Sequence, residues 1–464
     1  MIDVAVLLVA SVALQGVAGV VPAPEFVPQA ASSSVTLAPV SADPFSAFRV
    51  DGRTASRGQH AKVDSTLLPH LAGRALLDQL ALLDRGDLDT FVDGYPESIA
   101  RLLLDPPAAG QTSLWWDSLS ITQRNRLESG AAGLVGNLPG VPFATRDAVN
   151  RKLLDQTISE LQAMTDSGVG RGEGTEITAQ LDMLHEVELA IAEQPGEPER
   201  SIISLDTVWP GRAAVAIGDL LTADYLSYLV PGMFFTIEGQ VVDWSETALD
   251  LYNEQGEWLE LLGKDDSELR NKSVATVAWM GYETPNLFTV GFEELADEGA
   301  LYLESAMDAI FDERGADRPF VSLLAHSYGS TAAMKALVTG NFEVDSFAVV
   351  GSPGSDAQSV DDLHVRGRNV FVGEASWDPV VGSGYFGNDP GSATYGAQRM
   401  SVVGGIDLIT EEALAESVGH NAYFSPNSES LRNMALIGID RGSLVTTGSG
   451  EDVRRTLAYF DNLI

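Results

Sequence analysis

Pro319-Phe-Val-Ser-Leu-Leu-Ala-His-Ser-Tyr-Gly-Ser-Thr-Ala-Ala-Met-Lys-Ala-Leu337 is the stretch whose reading decides the fold. Its apolar run from Phe320 to Ala325 reads as a buried strand, and the small residues from about Ser330 to Val338 read as a helix. Strand, sharp turn with a serine at its tip, then helix is the setting of a nucleophile elbow. Such a turn lifts Ser327 Oγ clear of the sheet, and small neighbours let strand and helix approach closely. Ala325 stands where G-x-S-x-G has its first glycine, and one methyl group still fits such a turn. The competing reading is an ordinary strand-to-helix turn.

Working outward, the alternation of elements around the elbow predicts the architecture. Upstream, Ile202–Leu205, Ala213–Ile217, Tyr225–Val230 and Val274–Trp279 are short β-type runs. Helical patterns fall between them at about Glu238–Leu262 and Phe292–Arg314. Downstream, Ser346–Val350, Val370–Gly373 and Arg399–Val403 continue the series. Strands alternating with helices predict an α/β fold, a mostly parallel sheet with helices on both faces. Before residue 200 only helical spacing is found, in Asp64–Leu104, Arg146–Met164 and Ile177–Glu193, with Ser118 or Ser120 placed to cap a helix. The Gly-rich stretch Ser167–Glu176 reads as a loop. The predicted organisation is an apolar signal-like or anchor segment (1–23), a Pro/Ala/Ser-rich linker (24–59), a helical region (60–200) and an α/β domain (201–464).

Composition narrows the function classes. The chain has 464 residues, 45% of them hydrophobic, which is ample for a core. Its formal charge is −38, from 28 basic and 66 acidic residues. So acidic a surface repels nucleic acid and anionic lipid. There are no cysteines, which excludes disulfides, thiolate zinc sites and cysteine nucleophiles. Val4–Val21 is almost wholly apolar or small, of a length that suits a secretory or membrane-spanning segment, although no Lys or Arg precedes it to form a positive n-region; a secreted or membrane-anchored protein is expected, with a cytoplasmic one the alternative. That segment is also the expected membrane tether.

A serine nucleophile needs a base to take its proton and a carboxylate to hold that base. In parallel sheets, ligands gather at the carboxyl ends of the strands. Of six histidines, His60, His70 and His185 precede the sheet. His326 adjoins Ser327 and points elsewhere on a tight turn, and His364 lies at the wrong end of the Val370 strand. His420 remains, in a loop after the last strand. For the acid, Asp378 lies closest to the end of the Val370 strand, with Asp389 as competitor and Glu374 a weaker one. An oxyanion hole needs two backbone N–H groups. Tyr328 supplies one, and Met233 or Phe234 in the Pro231-Gly-Met-Phe turn the other, with Gly232 there to permit an unusual backbone conformation.

Further motifs accompany these: Trp115-Trp116, Gly136-Asn-Leu-Pro-Gly-Val-Pro142, Arg146-Asp-Ala-Val-Asn-Arg151 and Ala213-Ala-Val-Ala-Ile-Gly-Asp219. After them come Leu229-Val-Pro-Gly-Met233, Val277-Ala-Trp-Met-Gly-Tyr282, Gly351-Ser-Pro-Gly354, Gly387-Asn-Asp-Pro390, Gly419-His-Asn-Ala-Tyr-Phe424 and Ser430-Leu-Arg-Asn433. Together with the elbow they resemble an actinobacterial α/β-hydrolase family catalogued as a domain of unknown function, over most of residues 113–442. The resemblance implies an α/β-hydrolase fold with Ser327, Asp378 and His420 as its triad, and no substrate. Two departures are Ala325 for the usual glycine and Phe234 where a smaller residue is common. The second would narrow the pocket or shift the oxyanion donor.

The expected activity is hydrolysis of a carboxylic ester, lipid or other acyl ester, without metal or organic cofactor. Two rivals stand beside it: acyl transfer through the same triad, and a non-catalytic envelope or interaction protein built on a hydrolase scaffold. Oligomeric state is not encoded in any feature of the sequence.

Overall fold

The computed structural model describes residues 67–168, 170–233, 236–285, 289 and 291–463. The predicted anchor and linker, residues 1–59, and Phe234 lie outside them. Among the described residues, no helix is long and apolar enough to cross a membrane.

Six short helices come first: α1 (Gly73–Leu80), α2 (Arg85–Gly94), α3 (Pro96–Leu104), α4 (Ala109–Ser118), α5 (Ile121–Gly130) and α6 (Ala132–Val135). They bury a core of their own around Leu76, Leu80, Phe91, Trp115, Trp116 and Leu134. The cap between α4 and α5 is Ser120, whose hydroxyl accepts from Gln123 N–H while the Gln123 side chain reaches back to Ser120 N–H. Two long helices follow, α7 (Phe143–Ser167) and α8 (Arg171–Ala190). The loop expected over 167–176 is therefore shorter. Gly172 and Gly174 lie in the first turn of α8, where Gly174 N–H bonds Gly170 O at 2.8 Å. Each glycine costs a helix about 1 kcal/mol relative to alanine, but Met183, Leu184 and Val187 farther along are fully buried and hold the helix in place.

The first strand starts at Arg200, yet the packing does not change there. Leu154, Ile158 and Leu161 of α7 and the buried face of α8 share one apolar core with the sheet. That sheet has eight strands in the order β1-β2-β4-β3-β5-β6-β7-β8. They are β1 (Arg200–Asp206), β2 (Arg212–Ile217), β3 (Tyr225–Val230), β4 (Val274–Met280), β5 (Phe320–His326), β6 (Ser346–Val350), β7 (Val370–Gly373) and β8 (Gln398–Arg399). β2 runs antiparallel to both its neighbours, and every other pair in the sheet is parallel. The run expected to form a strand over Arg399–Val403 pairs with β7 only at its start. Met400 N–H still bonds Val372 O at 2.9 Å, but Ser401 N–H turns to Thr446 O at 2.8 Å, and the chain leaves the sheet.

Alternation along the central strands fills both faces. Leu226, Tyr228, Val230, Leu323 and Ala325 face α10 (Glu294–Arg314) and α11 (Tyr328–Thr339). Tyr225, Leu229, Leu324, Val350 and Phe371 face α9 (Ile237–Leu262) and α12 (Glu429–Gly438). The connection from β8 to α12 carries a two-stranded hairpin, β9 (Gly405–Ile406) and β10 (Ala413–Leu414), that the sequence did not foreshadow. It is tied down by buried polar groups. Arg432 Nε donates to Asp407 at 2.7 Å, and Glu429 accepts from Ser401 Oγ and Thr446 Oγ1 at 2.6 Å each. Removing one partner of such a buried ion pair costs about 3–5 kcal/mol. A long loop is thereby held firmly enough to position His420. A last helix, α13 (Asp452–Asp461), closes the chain.

Candidate active site

Ser327 occupies the turn between β5 and α11 with φ 54° and ψ −131°, a conformation that costs a non-glycine residue about 1–3 kcal/mol. Neighbours hold it there. Its N–H bonds Val350 O at 3.0 Å, and its carbonyl accepts from Ser330 N–H at 2.9 Å and Ser330 Oγ–H at 2.6 Å. The fit against the end of β3 is close: a Cβ on Gly329 would stand 2.2 Å from Pro231 O, and one on Gly232 would stand 2.6 Å from Ser327 Cβ. The glycine at 232 is required by this close approach and not by an unusual backbone angle, because its φ is not positive. Ala325, by contrast, fits with its methyl group fully buried. Gly329→Ala therefore overpacks backbone against backbone, with an expected loss of about 1–3 kcal/mol, read as a lower urea midpoint.

The structure brings Ser327, His420 and Asp378 together from three separate stretches. His420 Nε2 lies 2.8 Å from Ser327 Oγ, and His420 Nδ1 lies 3.0 Å from both oxygens of Asp378. A carboxylate only accepts, so Nδ1 carries the proton and Nε2 is left to accept from the serine hydroxyl. All three side chains are buried, at 2%, 4% and 7% exposure for Ser327, His420 and Asp378. Asp378 sits beyond β7, in a turn where Trp377 takes φ 62°. Asp389 and Glu374 are engaged elsewhere: Asp389 accepts from Gly391 N–H at 2.9 Å, and Glu374 pairs with Arg399 at 2.7 Å.

Asp378 has two further donors that the sequence reading did not assign. Val380 N–H bonds Oδ1 at 2.9 Å, and the Tyr423 hydroxyl donates to Oδ2 at 2.6 Å while accepting from Ala375 N–H at 2.9 Å. Burial alone pushes the Asp378 carboxyl up. The hydrogen bond and charge of His420, with the Tyr423 and Val380 bonds, outweigh it and hold the group below the usual carboxylate range. Tyr423→Phe removes one of those donors, so the Asp378 pKa rises. Because the ionised form is then lost at a higher pH, the stability it contributes is also lost at a higher pH, and the acid-unfolding midpoint moves upward. Hydrogen bonds to charged groups contribute about 1.5–3 kcal/mol, so kcat should fall roughly ten-fold or more. An unmoved acid-unfolding midpoint would show that the tyrosine does not act through Asp378.

His326 is the other residue missed. Its Nε2–H donates to the His420 carbonyl at 2.7 Å, and the two rings lie 4.8 Å apart. Burial and then the neighbouring His420 push it down to about 3, so it stays neutral and serves as a fixed donor. Its position beside the nucleophile was legible, but a partner 94 residues away in sequence was not. Two tyrosines brace the elbow from the other side. Tyr282 donates to Pro231 O at 2.8 Å, and the Tyr328 hydroxyl donates to Phe292 O at 2.7 Å and accepts from Ala296 N–H at 3.0 Å.

Tyr328 is the first residue of α11, where helix N–H groups lack intrahelical partners. Its N–H and that of Met233, next to Gly232, have no backbone acceptor among the described residues. Among the described residues, no group of three or more His, Asp or Glu side chains is placed to hold a metal ion.

An eight-stranded, mostly parallel sheet with a strained serine between its central strand and the following helix defines an α/β-hydrolase fold. Residues 206–387 match the profile of an alpha/beta hydrolase family. The chain is also similar to an uncharacterized protein of Mycobacterium tuberculosis H37Rv, 26% identical over 395 residues, or 74% of this chain and 58% of that protein. The match thus spans little more than half of the relative's length. A second uncharacterized protein of the same strain is 27% identical over 201 residues, covering 42% of this chain and 74% of that protein. Among solved structures, a thermostable esterase from Pseudomonas putida aligns with 63% of this chain and 97% of its own, at 10% identity and a TM-score of 0.33.

Proposed function

We propose that the protein is a serine hydrolase of carboxylic esters that works through an acyl-enzyme. The observation that carries this reading is the hydrogen-bonded chain Ser327 Oγ–His420 Nε2–His420 Nδ1–Asp378, with links of 2.8 and 3.0 Å, beginning at a strained serine. In the proposed course, His420 Nε2 takes the Ser327 proton as Oγ attacks the acyl carbonyl carbon. Asp378 steadies the imidazolium that forms. The Tyr328 and Met233 amides receive the oxyanion, a contribution of about 3–4 kcal/mol per donor in comparable sites. On collapse the alkoxide leaves with the proton from His420. Water then enters, His420 removes its proton, and the hydroxide releases the carboxylic acid and restores Ser327. Every step uses groups of the chain itself.

The test is hydrolysis of p-nitrophenyl esters of graded chain length under pre-steady-state conditions. An acyl-enzyme predicts release of nitrophenol followed by acid, with faster turnover on one range of chain length. Wild-type protein that is folded and inert towards the whole series would favour the non-catalytic scaffold.

A further inference from the structure

A cavity of about 670 Å3 opens between the N-terminal helices, strands β1 and β2, and α10. Its volume falls within the range of about 300–1,000 Å3 in which proteins hold small organic ligands. Ser327, Asp378 and His420 are not among its lining residues. The walls are mainly apolar, with Phe143, Ile203, Trp279 and Leu103 among them.

Two polar lining groups stand out: Arg146, whose guanidinium has no counter-ion among the described residues and lies 5.2 Å from the Phe143 ring centroid, and Tyr228, whose hydroxyl has no partner. Arg146 is 6% exposed and donates one hydrogen bond, from Nε to Gly136 O at 3.2 Å. Among the described residues its guanidinium forms no ion pair, and the nearby Glu313 carboxylate is occupied by Phe143 N–H at 3.0 Å. The Tyr228 hydroxyl is fully buried and has no hydrogen-bond partner. Burial raises its pKa well above the usual value, with the Arg146 charge opposing, so it remains a protonated donor at working pH. A buried hydroxyl without a partner and a buried cation without a counter-ion are both unfavourable. Both costs are relieved by one ligand: an oxygen anion that accepts from both groups.

Four other charged residues line the cavity: Asp93, Glu97, Asp206 and Arg212. Arg212 and Asp206 pair with each other at 2.9 Å, and Asp93 and Glu97 are exposed. Exposed charges act through water and are screened within about 8 Å at physiological salt, whereas a cation in the protein interior is not. The buried Arg146 therefore decides which head group is preferred.

We infer that this cavity is a binding site for a carboxylate with an apolar body, its head group held by Arg146 and Tyr228 and its chain lying along Phe143, Ile203 and Trp279. The inference does not rest on the esterase reading. It holds or fails whether or not Ser327 is reactive.

The experiment is calorimetric titration of the full chain, below micellar concentrations, with dodecanoate, dodecanol and dodecyltrimethylammonium. Dodecanoate should bind one-to-one and at least ten-fold tighter than the other two. Tyr228→Phe should weaken dodecanoate about ten-fold, the effect of one charge-assisted hydrogen bond, and leave dodecanol unchanged. Its melting temperature should not fall, because the hydroxyl removed has no partner in the free protein. Arg146→Gln should weaken dodecanoate further. Since that variant also touches the Gly136 contact, Tyr228→Phe is the decisive one. Ser327→Ala should bind as wild type. Equal affinity for dodecanoate and dodecanol, or unaltered binding by Tyr228→Phe, would overturn the proposal.

Discussion

Ser327→Ala is expected to reduce ester turnover by about a million-fold, the scale on which removing the nucleophile of a serine triad acts. Fold stability should hardly change, and the reason lies in the local geometry. The Ser327 backbone is fixed by Val350 O and by Ser330, and these bonds involve its main chain and not its hydroxyl. Alanine keeps those bonds, although it too must take φ 54°. The hydroxyl has one side-chain partner, His420. Far-UV circular dichroism and thermal melting separate the two effects. Retained turnover in a folded Ser327→Ala protein would assign the activity to another group.

The second large effect separates two carboxylates. Asp378→Asn should lower kcat about 10⁴-fold, the loss seen when the acid of such a triad becomes an amide and the histidine is held in the wrong tautomer. Asparagine keeps the volume and most contacts, so the change is one of protonation and orientation. Asp389→Asn should leave kcat within a few-fold of wild type, because that carboxylate caps its own turn at Gly391 N–H and makes no hydrogen bond to His420 among the described residues. The reverse ranking would move the acid to Asp389 and would require a different arrangement of the Gly387–Pro390 turn.

How far the sequence carried these conclusions depends on the range of the interactions involved. The elbow was legible because its signal is local: an apolar run, a tight turn and small residues within nineteen positions, Pro319–Leu337. Strand positions β1 to β7 were legible for the same reason, as apolar runs between breakers. Gly232 was noticed but for a different physical cause, since its role is to let β3 approach Ser327. The Arg399–Val403 run looked like a strand, yet its amide at Ser401 found Thr446 O on another segment, a choice made in tertiary structure. Tyr423, His326 and Tyr282 were visible as letters beside named motifs. Their bonds to Asp378, His420 O and Pro231 O span 45, 94 and 51 residues, a separation no periodicity encodes. The cavity above Tyr228 belongs to the same class, being enclosed by helices and strands distant in the chain.

The central claim is that His420 activates Ser327. It is tested most directly by fluorophosphonate labelling followed by peptide mass spectrometry on wild type, Ser327→Ala and His420→Ala. The account predicts a single adduct on the Ser327 peptide of the wild type and none in either variant. An adduct on a different serine, or undiminished labelling of Ser327 in His420→Ala, would contradict it.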